Sequence, residues 1–240
     1  MGIRAVVWDV DDTIFDYAGA DREGMRRYLD EVGLPAGMAE VGEALRRWKE
    51  LTVAHWARFA AGECDFIGQR RDRVRDFTGR PAMTDDEADA WAAGHVAHYE
   101  AVWSLFPDTV PALDLLAADY RHAVLSNSAL AHQDRKLRTL GVRDRFEVVL
   151  CAAELGVSKP EPAAFRAVCE ALELAPAEVA YVGNEPDIDA RGAAEAGLLG
   201  IWLDRGGIGG RPDLLRITGL AELPGVLRGD TRFGAVSRIG

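Results

Sequence analysis

The chain has 240 residues, 48% hydrophobic and 28% charged, an ordinary globular composition that excludes a disordered or collagen-like chain. With 28 Lys and Arg against 39 Asp and Glu, the formal charge is −11. A phosphate backbone is repelled by such a surface, which argues against a nucleic-acid partner. No apolar run approaches the roughly 20 residues of a membrane span, so no membrane partner is expected. Cys64, Cys151 and Cys169 have neither metal nor disulfide spacing. The apolar start meets acid at Asp9, too early for a secretory signal, so the expected location is the cytoplasm.

Residues 3–8 carry no charge after Arg4 and are rich in Val, which predicts a strand buried on both faces. From 17 to 101 the period becomes helical, with Leu45, Trp48, Leu51, His55, Trp56 and Phe59 spaced along one segment. About four helices are predicted there, broken near Gly33, Gly62 and Gly79, and Thr84 with Glu87 reads as a capping box. Beyond residue 107 helices and strands alternate. Helices are predicted over 107–119, 129–140, 162–172 and 188–196, and strands over 122–125, 146–150, 179–182 and 199–203. Such alternation predicts an α/β fold, a Rossmann-like parallel sheet core with an inserted α-helical cap domain. The core is predicted over 1–16 and 102–228, the insert over 17–101, and a loose tail over 229–240.

Ligands of an open α/β sheet bind outside the carboxyl ends of its strands. There this chain carries Asp9, Asp11 and Thr13, then Ser126 and Asn127, then Lys159, then Gly183 and Asn184 with Asp189. Asp9 and Asp11 alternate on extended chain and are predicted to share one crevice. Two carboxylates 4 Å apart repel by about 4 kcal/mol at an effective dielectric near 20, so a positive partner is needed. Lys159 supplies one charge. A hard cation such as Mg²⁺, which takes one or two carboxylates, waters and a substrate phosphate, supplies more.

Asp9-x-Asp11-x-Thr13, Ser126, Lys159 and Gly183 with Asp189 resemble the four signature segments of the haloacid dehalogenase-like hydrolase superfamily. The run from Asp189 to Gly197 also resembles that family's helix after the fourth segment. Asp11 stands where the superfamily's phosphatases and phosphomutases carry an acid, so the resemblance implies phosphoryl transfer. It implies a Mg²⁺-dependent phosphatase acting on a small phosphorylated metabolite through an aspartyl-phosphate. Asp9 is then the nucleophile, Asp11 the acid and base, and Lys159 the compensating charge. Ser126, Asn127 and Thr13 hold substrate or loop, while Asp9, Asp11, Asn184 and Asp189 form the metal set, with Asp189 orienting. Asn184 departs from the pattern, since the family usually has an acid there. A sugar phosphomutase on the same core is the alternative, and the charge missing at Asn184 adds a catalytically weakened binding protein as another. The expected assembly is a monomer or homodimer.

Overall fold

The computed structural model describes residues 2–229, so the predicted tail lies, beyond Gly229, outside the described residues. The chain divides into two compact units, one made of the residues up to Asp16 and from Ser104 onward, the other Tyr17–Trp103. No helix among the described residues is long and apolar enough to cross a membrane.

The first unit opens with β1 (Ala5–Trp8), whose four residues are all buried. The second unit holds four helices, α1 (Tyr17–Val32), α2 (Val41–Ala60), α3 (Phe66–Thr78) and α4 (Asp85–Glu100). The chain then returns through α5 (Thr109–Leu116), β2 (Arg121–Ser126), α6 (Leu130–Thr139), β3 (Val148–Cys151), α7 (Ala152–Leu155) and α8 (Pro162–Ala171). It ends with β4 (Val179–Gly183), a wide π-type turn (Pro186–Arg191), α9 (Gly192–Glu195), β5 (Leu199–Leu203), β6 (Leu215–Ile217) and α10 (Leu223–Leu227).

Six strands form one parallel sheet in the order β3-β2-β1-β4-β5-β6. Strands β1 and β4 lie at its centre, which is why their sequences are apolar without alternation. One face buries Val7, Leu125 and Tyr181 against Phe165 and Val168 of α8. The sheet therefore brings the carboxyl ends of β1, β2 and β4 side by side.

Several elements differ from the prediction, among them the short helices α7 and α10, which are not expected from the sequence. The strand β6 has only three residues, too few for a readable alternation, and it follows a glycine-rich loop. The helix expected over 188–196 is a wide turn followed by the four-residue α9. Pro186 opens that turn, and π-type turns of this kind aim side chains at functional sites.

In the helical unit, Trp48 and Leu51 pack with Met25, Leu29 and Phe77 in one core. The Trp48 and Phe77 rings meet edge to face at 5.1 Å. His55 is also buried, but Trp56 turns outward, 43% exposed, because one residue further rotates the helix by about 100°. Thr84 and Glu87 make the capping box at the start of α4. The arginines of α3 pair with acids of α4, Arg71 with Asp85 and Asp89, and Arg70 with Asp89. At Gly24 the backbone of α4 passes so close that a Cβ would stand 2.5 Å from Tyr99 Cα.

Under the sheet, the Trp8 indole N–H donates to Nδ1 of His122 at 3.0 Å, and both side chains are buried. This bond needs a neutral ring, and burial, helped by Arg145, lowers the His122 pKa from 6.5 to about 4. The unfolded chain therefore binds this proton first as the pH falls through 6.5, and the fold loses stability until about pH 4. Between pH 7 and 5 this single group is expected to remove about 2 kcal/mol of unfolding free energy. Urea titrations at the two pH values should show His122→Gln losing less than the parent protein by that amount. Equal losses would mean His122 is not held neutral.

Candidate active site

The turn after β1 is built by hydrogen bonds around Val10, whose carbonyl accepts from the N–H groups of Thr13, Ile14 and Phe15. Asp12 supplies the reversal at φ 59°, a left-handed conformation that Asp tolerates. Asp9 itself remains in line with the sheet, its N–H donating to the Val182 carbonyl of β4 at 3.0 Å. Arg205, just after β5, pins the turn from outside. Its guanidinium donates to the Thr13 carbonyl at 2.8 Å, pairs with Asp108 at 2.9 Å and stacks on Phe106.

Asp9 is buried, with one carboxylate oxygen facing Lys159 at 2.8 Å and the other accepting from the Thr13 hydroxyl at 3.0 Å. Lys159, only 4% exposed, also donates to Asp189 at 2.7 Å and to the Tyr181 hydroxyl at 2.6 Å. Its three N–H bonds thus have three oxygen partners. The main chain of Lys159 is fixed by Asn127, whose amide accepts from Lys159 N and donates to Lys159 O, both at 2.8 Å. The Asn127 side chain thus holds the lysine segment in place beside Ser126. Tyr181 in turn donates to the Leu125 carbonyl at 2.9 Å, linking β4 to β2.

Asp189 is 1% exposed and reaches this centre from the wide turn. Its second oxygen accepts from the Glu185 N–H at 2.9 Å. Gly183 makes room for it, since a Cβ there would lie 2.3 Å from the Asp189 carboxylate. Asp189 therefore orients Lys159 and the turn, and both of its oxygens are engaged. Asn184 follows Gly183. Its N–H donates to the Thr13 hydroxyl at 3.1 Å, and its side-chain oxygen stands 3.3 Å from that hydroxyl.

Asp11 does not crowd Asp9 against a shared lysine. Its carboxylate turns to α6, pairing with the Lys136 ammonium and accepting from the Gln133 amide at 2.7 Å. The same amide reaches the hydroxyl of Ser126, buried at the end of β2, at 3.2 Å. Sequence reading missed Lys136, Gln133, Tyr181 and Arg205. A signal existed for the first two: Gln133, Lys136 and Leu137 have the spacing of a single buried helix face. Lys136 stands between arginines at 135 and 138, however, and so resembles a solvated charge.

Three carboxylates, Asp9, Asp11 and Asp189, thus face two lysines. One ammonium shared by Asp9 and Asp189 does not balance both. Burial accordingly raises Asp9 to about 7 against the pull of Lys159. Burial also opposes the charge on Lys159, but Asp189 and Asp9 outweigh it and hold Lys159 well above the usual lysine value. Such a centre is short of positive charge. Among the described residues no three His, Cys, Asp or Glu side chains group as a metal cluster. Of the expected metal set, Asp9 Oδ2 and Asn184 Oδ1 come together at the Thr13 hydroxyl, whereas Asp11 is held by Lys136 and Gln133 and Asp189 by Lys159 and the Glu185 N–H. That sparse pair of oxygens suits Mg²⁺, which keeps several waters and completes its shell with a substrate phosphate.

The model of the haloacid dehalogenase-like hydrolases matches residues 3–197. The chain is 30% identical to a glyceraldehyde 3-phosphate phosphatase of Methanopyrus kandleri, over 85% of each protein. It is also 30% identical to a phosphoserine phosphatase of Thermus thermophilus, over 85% of this chain and 90% of that one. Among solved structures, a HAD-hydrolase of Bacillus subtilis, determined with bound magnesium, superposes with TM-score 0.78 at 19% identity, covering 95% of this chain and 99% of the other. From the match over residues 3–197 and these two relatives, the chain belongs to the haloacid dehalogenase-like hydrolases and is a phosphoric monoester hydrolase.

Proposed function

We propose that the chain is a Mg²⁺-dependent phosphatase that hydrolyses a small phosphate monoester through an aspartyl-phosphate on Asp9. The observation that carries this reading is the setting of Asp9, with Lys159 on one oxygen and Thr13 on the other, beside Asp11 and Ser126 at one sheet edge. An Asp9 oxygen attacks phosphorus in line, the ester P–O bond breaks, and the leaving oxygen takes a proton from Asp11. Water then attacks the same phosphorus and gives a proton back to Asp11. The bond to Asp9 breaks, and inorganic phosphate leaves. Ser126 donates to phosphoryl oxygens, and Lys159 offsets the charge shared by nucleophile and phosphate. Asp9 and Asn184 would hold the metal, which when bound neutralises charge developing on the phosphoryl oxygens.

The relatives named above act on glyceraldehyde 3-phosphate and phosphoserine, which supports a small phosphorylated metabolite as substrate here. The helical unit Tyr17–Trp103 is the part proposed to select among such esters. The reading is tested by phosphate release from p-nitrophenyl phosphate with Mg²⁺ and with EDTA. Release in Mg²⁺ that EDTA abolishes is expected, and equal release in both would refute the metal requirement.

Asn184 gives this reading a sharper consequence. An amide oxygen offers Mg²⁺ a ligand without a full negative charge. Asn184→Asp should tighten Mg²⁺ binding by about 1–3 kcal/mol once desolvation and repulsion from Asp9 are counted. The half-saturating Mg²⁺ concentration then falls roughly tenfold for each 1.4 kcal/mol. A Mg²⁺ titration of both proteins at fixed ionic strength checks this. Identical half-saturation would exclude Asn184 as a ligand.

A further inference from the structure

We propose that Lys136 and Gln133 of α6 are positioning residues for Asp11, a two-point clamp that aims its carboxylate at the leaving-group oxygen. The inference rests on the reading of Asp11 as acid and base. Asp11 lies on a turn with its side chain about one-third exposed. A carboxylate in that position has free rotation unless something fixes it. Both of its oxygens are fixed, one by the Lys136 ammonium and the other by the Gln133 amide.

The two clamp residues come from one helix at i and i+3, so a single rigid element sets both contacts. Each also ties Asp11 to a second part of the site. Lys136 stands 4.2 Å from the centre of the Phe15 ring, at the far end of the turn that carries Asp11. Gln133 donates to Ser126 as well, and so sets the distance between the acid and a proposed phosphate-binding hydroxyl. Lys136 is 1% exposed and Gln133 fully buried. An apolar pair of similar volume at these core-facing positions would commonly be at least as stabilising. Stability alone therefore does not account for an ammonium and an amide there, whereas holding a carboxylate does. Proton transfer needs the acid within about 2.6–3.2 Å of the oxygen it serves, and a misplacement of about 1 Å can cost ~10²-fold in rate.

The test is the leaving-group dependence of kcat over a series of substituted phenyl phosphates, with saturating Mg²⁺. A positioned acid matters most for poor leaving groups. Lys136→Met is expected to lose ~10²-fold on phenyl phosphate and less than about tenfold on p-nitrophenyl phosphate. The steepened dependence should match that of Asp11→Asn in direction, and Lys136→Arg should restore part of it. In the Asp11→Asn background, Lys136→Met should cost less than about twofold, because the clamp then has no acid to aim. Gln133→Leu, which leaves the ion pair in place, should steepen the same dependence on its own and keeps the test open should Lys136→Met fold poorly. A dependence steepened by Asp11→Asn but not by Lys136→Met or Gln133→Leu overturns the clamp alone. An undiminished loss from Lys136→Met in the Asp11→Asn background also overturns it. A dependence unchanged in Asp11→Asn overturns the acid role, and the clamp with it.

Discussion

Asp9→Asn is expected to abolish turnover, by on the order of 10⁴-fold or more, in a protein that keeps its fold. An amide oxygen is a poor nucleophile toward phosphorus, while the shape of the side chain hardly changes. The fold survives for an electrostatic reason. Asp9 is buried and shares one ammonium with Asp189, and burial already raises its pKa to about 7. Neutralising it leaves Lys159 paired with Asp189 and removes a buried charge that was incompletely balanced. Circular dichroism and a urea midpoint close to the parent protein, together with absent phosphate release, are the expected results. A folded variant with most of its activity would refute Asp9 as nucleophile.

Lys159→Met should fail in the opposite manner, losing stability as well as activity. Removing the ammonium leaves Asp9 and Asp189 facing one another in the interior and strips a partner from the Tyr181 hydroxyl. Breaking a buried pair from one side typically costs about 3–5 kcal/mol. The urea midpoint should therefore fall markedly. The further change Asp189→Asn should restore part of the stability, because it removes one of the stranded charges, but none of the activity. A Lys159→Met protein as stable as the parent would show that the lysine charge is not what balances this centre.

Much of this site was readable before the fold was known, and the reason is local. Asp9, Ser126, Lys159 and Asn184 each follow or precede an apolar run, and a parallel sheet brings such positions to one edge. The strands β1, β2, β4 and β5 announce themselves as short apolar segments between helical ones. What escaped is what depends on pairing across the chain. Lys136 is buried on α6 with its ammonium on Asp11, and nothing near position 136 reveals that partner 125 residues away. Arg205 follows the last long strand and reads as a loop residue until the Thr13 carbonyl and Asp108 are found against it. Tyr181 reads as strand filling, although its hydroxyl completes the lysine's shell. Trp56 shares the apolar character of Trp48, yet the helix period sends one inward and the other out.

The covalent step is the central claim, and trapping it is the direct measurement. The protein is mixed with p-nitrophenyl phosphate and Mg²⁺, quenched in acid during turnover, reduced with borohydride and digested for peptide sequencing by mass spectrometry. An acyl phosphate reduces to the alcohol, so a phosphorylated Asp9 appears as homoserine at position 9, absent when substrate is omitted. That is the predicted result. Turnover with Asp9 unreduced, or homoserine at position 11 instead, would contradict it.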